Sequence, residues 1–124
     1  MLPKGLRTWF IVHFFVDMIF GLPLLFAPVW SLSLLGWQVV EPLTTRLVGA
    51  ALMGIGIESY LGRNAAKEVY QAMLNLKLIW SASAVFALSM SIRAGAPAVT
   101  WLILRLFAFF FVVWAYYKLK MRTS

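Results

Sequence analysis

Four long stretches of almost uninterrupted apolar residues alternate with short polar breaks along the chain. Each stretch has about the 20 residues that an α-helix needs to cross the hydrocarbon core of a bilayer. Helices also satisfy their own backbone hydrogen bonds, as the bilayer interior requires. The pattern predicts an all-α integral membrane protein, a four-transmembrane-helix bundle forming one domain over residues 1–124. The predicted spans are 8–28, 43–61, 71–92 and 98–117.

The first break contains a short apolar segment, 29–35, which is too short to span. Trp30 lies within this segment and Trp37 follows it, and tryptophan favours headgroup depth. The pattern predicts a short interfacial helix between helices 1 and 2. Asn64 is the predicted N-cap of the third span, and Pro97 suits the start of the fourth.

Lysine and arginine are distributed unevenly over the predicted connections. Seven lie on one side of the predicted bundle, whereas Arg93 lies on the other. By the positive-inside rule, the pattern predicts a multi-pass protein of the cytoplasmic (inner) membrane with both termini cytoplasmic. The seven residues are Lys4, Arg7, Arg63, Lys67, Lys118, Lys120 and Arg122.

The composition indicates that lipid is the main partner of the apolar surface of this protein. The chain is 63% hydrophobic and 12% charged, and a soluble fold of 124 residues could not bury so much apolar area. The net charge of +7 is explained by anionic headgroups, so no nucleic-acid partner is expected. With no cysteine and one histidine, neither a metal nor a cofactor is expected. No set of nucleophile, base and orienting group indicates catalysis, so a non-enzymatic role is favoured.

The second span is much less apolar than the first. It holds seven Leu, Ile or Val residues together with three glycines, Arg46 and Glu58. Its insertion free energy is therefore near zero, and we expect this helix to depend on its neighbours.

Six ionisable residues lie within the apolar stretches, where a charge is costly and by default marks a function or a packing contact. Helical spacing places each charge on a face with small residues, which is where membrane helices pack closely. All six are therefore predicted to point into the bundle and to line its interior. They are His13, Asp17, Arg46, Glu58, Lys77 and Arg105.

Estimated depths suggest how these residues pair. Lys77 lies with Asp17, Glu58 and His13 in a predicted inner layer, where Lys77 is expected to pair with Asp17 and Glu58. Arg46 is expected to pair with Glu41. Arg105 has no carboxylate at its own level and is the first functional candidate. The alternative is that the ion pairs only fix helix register.

A short series of motifs adds a resemblance. The runs are Gly-Leu-Pro-Leu-Leu-Phe-Ala-Pro at 21–28, Leu-Leu-Gly at 34–36, Glu41-Pro42 and Arg-Leu-Val-Gly-Ala at 46–50. They resemble the DoxX-like group of small four-helix bacterial membrane proteins over residues 10 to 60. The resemblance implies a compact bundle with polar groups inside. Some relatives are associated with quinone-linked oxidation or with chaperoning other membrane proteins, but thiol-type redox chemistry does not fit a chain without cysteine.

Three functions remain open. In the first, a non-enzymatic bundle holds a small polar or lipid-like ligand at Asp17, Lys77 and Arg105, or supports a second copy or another membrane protein. The second is a proton-coupled small-molecule exporter using Asp17, although the strong charge bias argues against an antiparallel dimer. The third is a membrane enzyme acting on a lipid or sterol, with His13, Asp17 and Glu58 as acid and base groups.

Overall fold

The computed structural model describes residues 2–122 and is all-helical over that range. A short helix follows the first long one, as predicted. Each of the four long helices extends beyond its predicted limits at one end or both, and the first also ends earlier than predicted. The elements are α1 (Leu6–Phe26), α2 (Pro28–Leu34), α3 (Pro42–Leu61), α4 (Lys67–Arg93) and α5 (Val99–Arg122).

The chain divides into two compact units. One is Arg7–Asn64, which contains nearly all of α1 together with α2 and α3. The other joins Met1–Leu6 to Ala65–Ser124, which contains α4 and α5. We call them the α1–α3 unit and the α4–α5 unit, and we describe each by itself.

The boundary between α1 and α2 differs from the predicted limit at Pro28. The first helix ends at Phe26, and Pro28 begins α2 instead of ending α1. Proline suits the first turn of a helix because its missing N–H would have no partner there. The Ser31 hydroxyl closes the junction by donating to the carbonyl of Pro23 at 3.0 Å.

The helices α1 and α3 pack together through glycine. A Cβ on Gly49 would lie 2.7 Å from the Leu25 nitrogen and 2.8 Å from the Gly21 oxygen, so the two backbones touch at this point. Small residues allow such close approach between membrane helices. Nearer the other end of the contact, the rings of Phe14 and Tyr60 are 4.9 Å apart.

The helices α4 and α5 run antiparallel after a tight connection. Gly95 has φ +95°, the Gly95 amide donates to the Ile92 carbonyl, and the Ala96 amide donates to the Ser91 carbonyl. These bonds form a Schellman motif, which ends α4 in the predicted break. Ala66, not Asn64, is the N-cap of α4, and it makes no side-chain capping bond, so the predicted cap is wrong.

Three of the helices are long and apolar enough to cross a membrane: α1, α4 and α5. A membrane protein of several spans is therefore supported. The helix α3 has 20 residues but does not reach the same hydropathy, in keeping with the marginal insertion expected from its arginine, glutamate and glycines.

Candidate functional site

One stripe of α1 is buried, and it carries His13 and Asp17. The residues Phe10, His13, Asp17 and Gly21 recur every three or four positions and are all buried. That spacing defines a single helical face. The predicted shared face of His13, Asp17 and Gly21 is confirmed.

His13 and Asp17 form an ion-pair contact on this face. Nε2 of His13 lies 3.3 Å from Oδ1 of Asp17, and the two residues are 4% and 3% exposed. Neighbours four residues apart on a helix can make such a contact directly. The pair therefore places a hydrogen-bond donor and an acceptor within an otherwise apolar helix, where a proton can be held or exchanged between imidazole and carboxylate.

Gly56 of α3 lies directly against this pair. A Cβ at Gly56 would be 2.6 Å from the Asp17 Cβ and 3.2 Å from its Oδ2, and 3.3 Å from Cε of Met18. Only glycine fits here without moving Asp17. Sequence reasoning missed Gly56. The available signal was its spacing of seven residues from Gly49, which puts both on one face of α3.

The helix α3 has two stripes of small residues, and the charged one is exposed. Arg46 and Glu58, which share a stripe with Ala50 and Gly54, were expected to point inward. All four residues are exposed, and a Cβ at Gly54 would meet no atom within 4 Å. The inward prediction is therefore wrong for Arg46 and Glu58. The glycine contact with α1 instead selects the other stripe, whose buried residues are Thr45, Gly49, Leu52, Gly56 and Ser59.

Glu41 caps the start of α3. Its carboxylate accepts hydrogen bonds from the backbone amides of Thr44 and Leu43. Bonding to Thr44 holds the pKa of Glu41 below its usual value, and Arg46 adds a weaker electrostatic attraction in the same direction. The expected association of Arg46 with Glu41 is therefore a weak electrostatic attraction. The Glu41 carboxylate serves chiefly as the helix cap.

Lys77 is the buried cation of the α4–α5 unit. It is 2% exposed, and its Nζ lies 4.9 Å from the centre of the Trp114 ring, within range of a cation–π contact. Trp114 in turn stacks on Phe110 at 5.7 Å. The predicted inward position of Lys77 is confirmed, and Ser81 is buried on the same face. The contact of Trp114 with Lys77 was not predicted from the sequence.

Arg105 lies on the exposed side of α5, together with Trp101 and Val112. The expectation that it points inward is wrong. The packed face of α5 consists mainly of large side chains. The small residues on the helical face of Arg105 therefore do not mark the packed side. The buried residues of this helix are Thr100, Phe110, Trp114, Tyr117 and Met121.

Of six predicted site residues, the structure therefore buries His13, Asp17 and Lys77. It brings His13 and Asp17 into contact on one helix and sets Lys77 against an aromatic ring of α5. The pairing of Lys77 with Asp17 stays a prediction. Within residues 2–122, no group of three His, Cys, Asp or Glu residues could hold a metal ion.

The chain was also compared with known proteins. No family model, curated protein or solved structure matches it. The resemblance to the DoxX-like group therefore stays a prediction, and the site geometry is what bears on function.

Proposed function

We propose that this chain is a non-enzymatic integral membrane protein that binds a small polar or lipid-like ligand at the His13–Asp17 pair. The observation that carries this proposal is the burial of both groups, 3.3 Å apart, in a helix apolar enough to cross a membrane. Ionisable groups are expensive in such a helix and are retained mainly where they serve a function.

The chemistry of the pair suggests what the ligand looks like. An imidazole and a carboxylate offer one donor and several acceptors, so they suit a hydroxyl, carbonyl or amine. The surrounding residues of α1 are apolar, and Gly56 keeps α3 close to the carboxylate. Sites of this kind bind molecules with an apolar body and one polar group.

Replacing the Asp17 carboxylate tests the proposal. Asp17→Asn is expected to lower the amount of co-purified small molecule at least tenfold, because hydrogen bonds to a charged group contribute about 1.5–3 kcal/mol. The measurement is mass spectrometry of solvent extracts of the protein purified in detergent. Glu58→Gln is the matched control, since it makes the same chemical change at an exposed position of α3. Equal amounts of small molecule in wild type and both variants would contradict a site at Asp17.

The second candidate is a proton-coupled exporter that uses Asp17. The contact between His13 and Asp17 favours it, because such a pair can exchange one proton with the surroundings. In proteoliposomes, an exporter should release protons when a substrate is added, and Asp17→Asn should abolish this release. The ligand-binding protein should show binding without proton flux.

The same proposal includes four membrane crossings: α3 crosses the membrane in addition to α1, α4 and α5. Both termini then lie in the cytoplasm of a bacterial cell. Its support is the 20-residue length of α3, its glycine contact with α1 and the bias of lysine and arginine. The exposed stripe with Arg46 and Glu58 would then lie against a membrane partner or a second copy, because contact of these charges with lipid is energetically costly.

Topology reporters distinguish four spans from three. With four spans, fluorescent reporters at either terminus are active in the cytoplasm, and alkaline phosphatase at either terminus is inactive. With three spans, the termini lie on opposite sides and the two ends give opposite results. A fluorescent reporter that is active at one terminus and inactive at the other would overturn the fourth span.

A further inference from the structure

One end of the α4–α5 unit is strongly basic. Lys118 of α5 donates from Nζ to the carbonyl of Gln71 at 3.4 Å, which places the end of α5 beside the start of α4. The N-terminal segment belongs to this unit as well. The end thus collects five basic residues and one acidic residue, Glu68. The five are Lys4, Lys67, Lys118, Lys120 and Arg122.

The N-terminal segment is held at this end by a defined contact. The Tyr117 hydroxyl donates to the Lys4 carbonyl at 3.1 Å. Gly5 has φ +90°, and a Cβ there would lie 2.7 Å from the Tyr117 hydroxyl oxygen. Both the backbone conformation and the space therefore require glycine. This contact fixes Lys4 beside the last turns of α5.

The length of α5 bears on the depth at which its terminal cations would lie in a membrane. The 24 residues of α5 extend about 36 Å, more than the roughly 30 Å thickness of the hydrocarbon core. Nζ of Lys120 lies 5.3 Å from the centre of the Tyr116 ring, and tyrosine favours the membrane interface. A membrane-spanning α5 is therefore longer than the hydrocarbon core, and the cations of its last turn favour headgroup depth.

We propose that this basic end is a binding site for the phosphate of an anionic phospholipid headgroup. Clustered ammonium groups bind phosphate by charge-assisted hydrogen bonds. A lipid is the favoured source of that phosphate because α4 and α5 are both apolar enough to lie in a membrane. The site is separate from the His13–Asp17 pair, so either proposal can fail without the other.

Two variants that keep the net charge test whether this site has a defined geometry or is only a diffuse electrostatic attraction. Tyr117→Phe removes the hydrogen bond to Lys4, and Gly5→Ala displaces the same segment. We expect Tyr117→Phe to reduce the preference for phosphatidylglycerol over phosphatidylcholine about fivefold. Gly5→Ala should reduce it as well. Native mass spectrometry of the full chain, titrated with each lipid in detergent, measures this preference, and circular dichroism checks that each variant is folded.

Charge variants provide the matched control. Lys120→Gln should lower the preference about fivefold, whereas Arg93→Gln, at the far end of α4, should leave it unchanged. Inorganic phosphate in excess should not displace the lipid. The proposal is overturned if folded Tyr117→Phe keeps the full preference, or if Arg93→Gln lowers it as much as Lys120→Gln. Displacement by inorganic phosphate would contradict the assignment of this site to a lipid and would assign it to a soluble phosphate.

Discussion

Gly49→Ala is expected to lower the free energy of unfolding by about 2–3 kcal/mol. The added methyl group would lie 2.7 Å from the Leu25 nitrogen and 2.8 Å from the Gly21 oxygen. Both are backbone atoms, so neither can move aside by a change of rotamer. The α1–α3 contact must separate, and the helix surface around Gly56 and Asp17 moves with it. Thermal unfolding in detergent, followed by circular dichroism, measures the effect.

Gly54→Ala is the matched control on the same helix. A Cβ at Gly54 meets no atom within 4 Å, so the substitution causes no clash. Alanine is the better helix former, and we expect a gain of up to about 1 kcal/mol in stability. If both substitutions changed the melting temperature equally, the glycine contact between α1 and α3 would be incorrect.

Lys77→Met is expected to destabilise the protein by about 2 kcal/mol or more. Lys77 is 2% exposed, and methionine cannot make the cation–π contact of its ammonium with the Trp114 ring. The contact of Nζ with the Trp114 ring contributes about 2 kcal/mol in such a desolvated setting. Melting temperature in detergent is again the measurement.

Arg105→Met makes a comparable change at the exposed cation of α5 and is expected to act in the other direction. Replacing an exposed arginine of a membrane-spanning helix by an apolar residue favours insertion by up to about 3 kcal/mol. The melting temperature should therefore stay constant or rise, and the yield in membranes should not fall. A larger loss of stability for Arg105→Met than for Lys77→Met would show that the two cations have been assigned the wrong environments.

Much of the helical pattern could be predicted from the sequence because apolar length and glycine or proline breaks are local signals. Gly36 and Gly95 both have positive φ and end helices in the predicted breaks. The buried faces of α1 and α4 were also predictable, since His13, Asp17, Lys77 and Ser81 share their faces with the packed residues of those helices.

The faces of α3 and α5 could not be predicted by the same rule. The helix α3 has two equivalent stripes of small residues, and only the contact of Gly49 with Gly21 shows which is packed. The helix α5 packs through large aromatic side chains such as Trp114, so its small residues indicated the wrong side. The rule that small residues mark the packed face does not distinguish two faces of one helix. It therefore predicts the wrong side for Arg46, Glu58 and Arg105.

Helix ends were less predictable than helix faces. Proline at 28 can either end one helix or begin the next, and both are consistent with its missing N–H. The junction at Ala27 is closed by the hydrogen bond of the Ser31 hydroxyl to the Pro23 carbonyl, eight residues earlier in the chain. At the start of α4, Asn64 lies three residues before Lys67, the first helical residue, and so does not cap it.

The most direct test of the buried pair is ¹⁵N and ¹H NMR of the imidazole in detergent micelles. His13 is the single histidine of the chain, so its signal is assigned without ambiguity. We expect an Nε2–H proton that exchanges slowly with water, is shifted by its hydrogen bond to Asp17, and is lost or moved in Asp17→Asn but not in Glu58→Gln. A rapidly exchanging imidazole with the shift of a free side chain, unaltered by Asp17→Asn, would contradict the buried His13–Asp17 pair on which the proposed function rests.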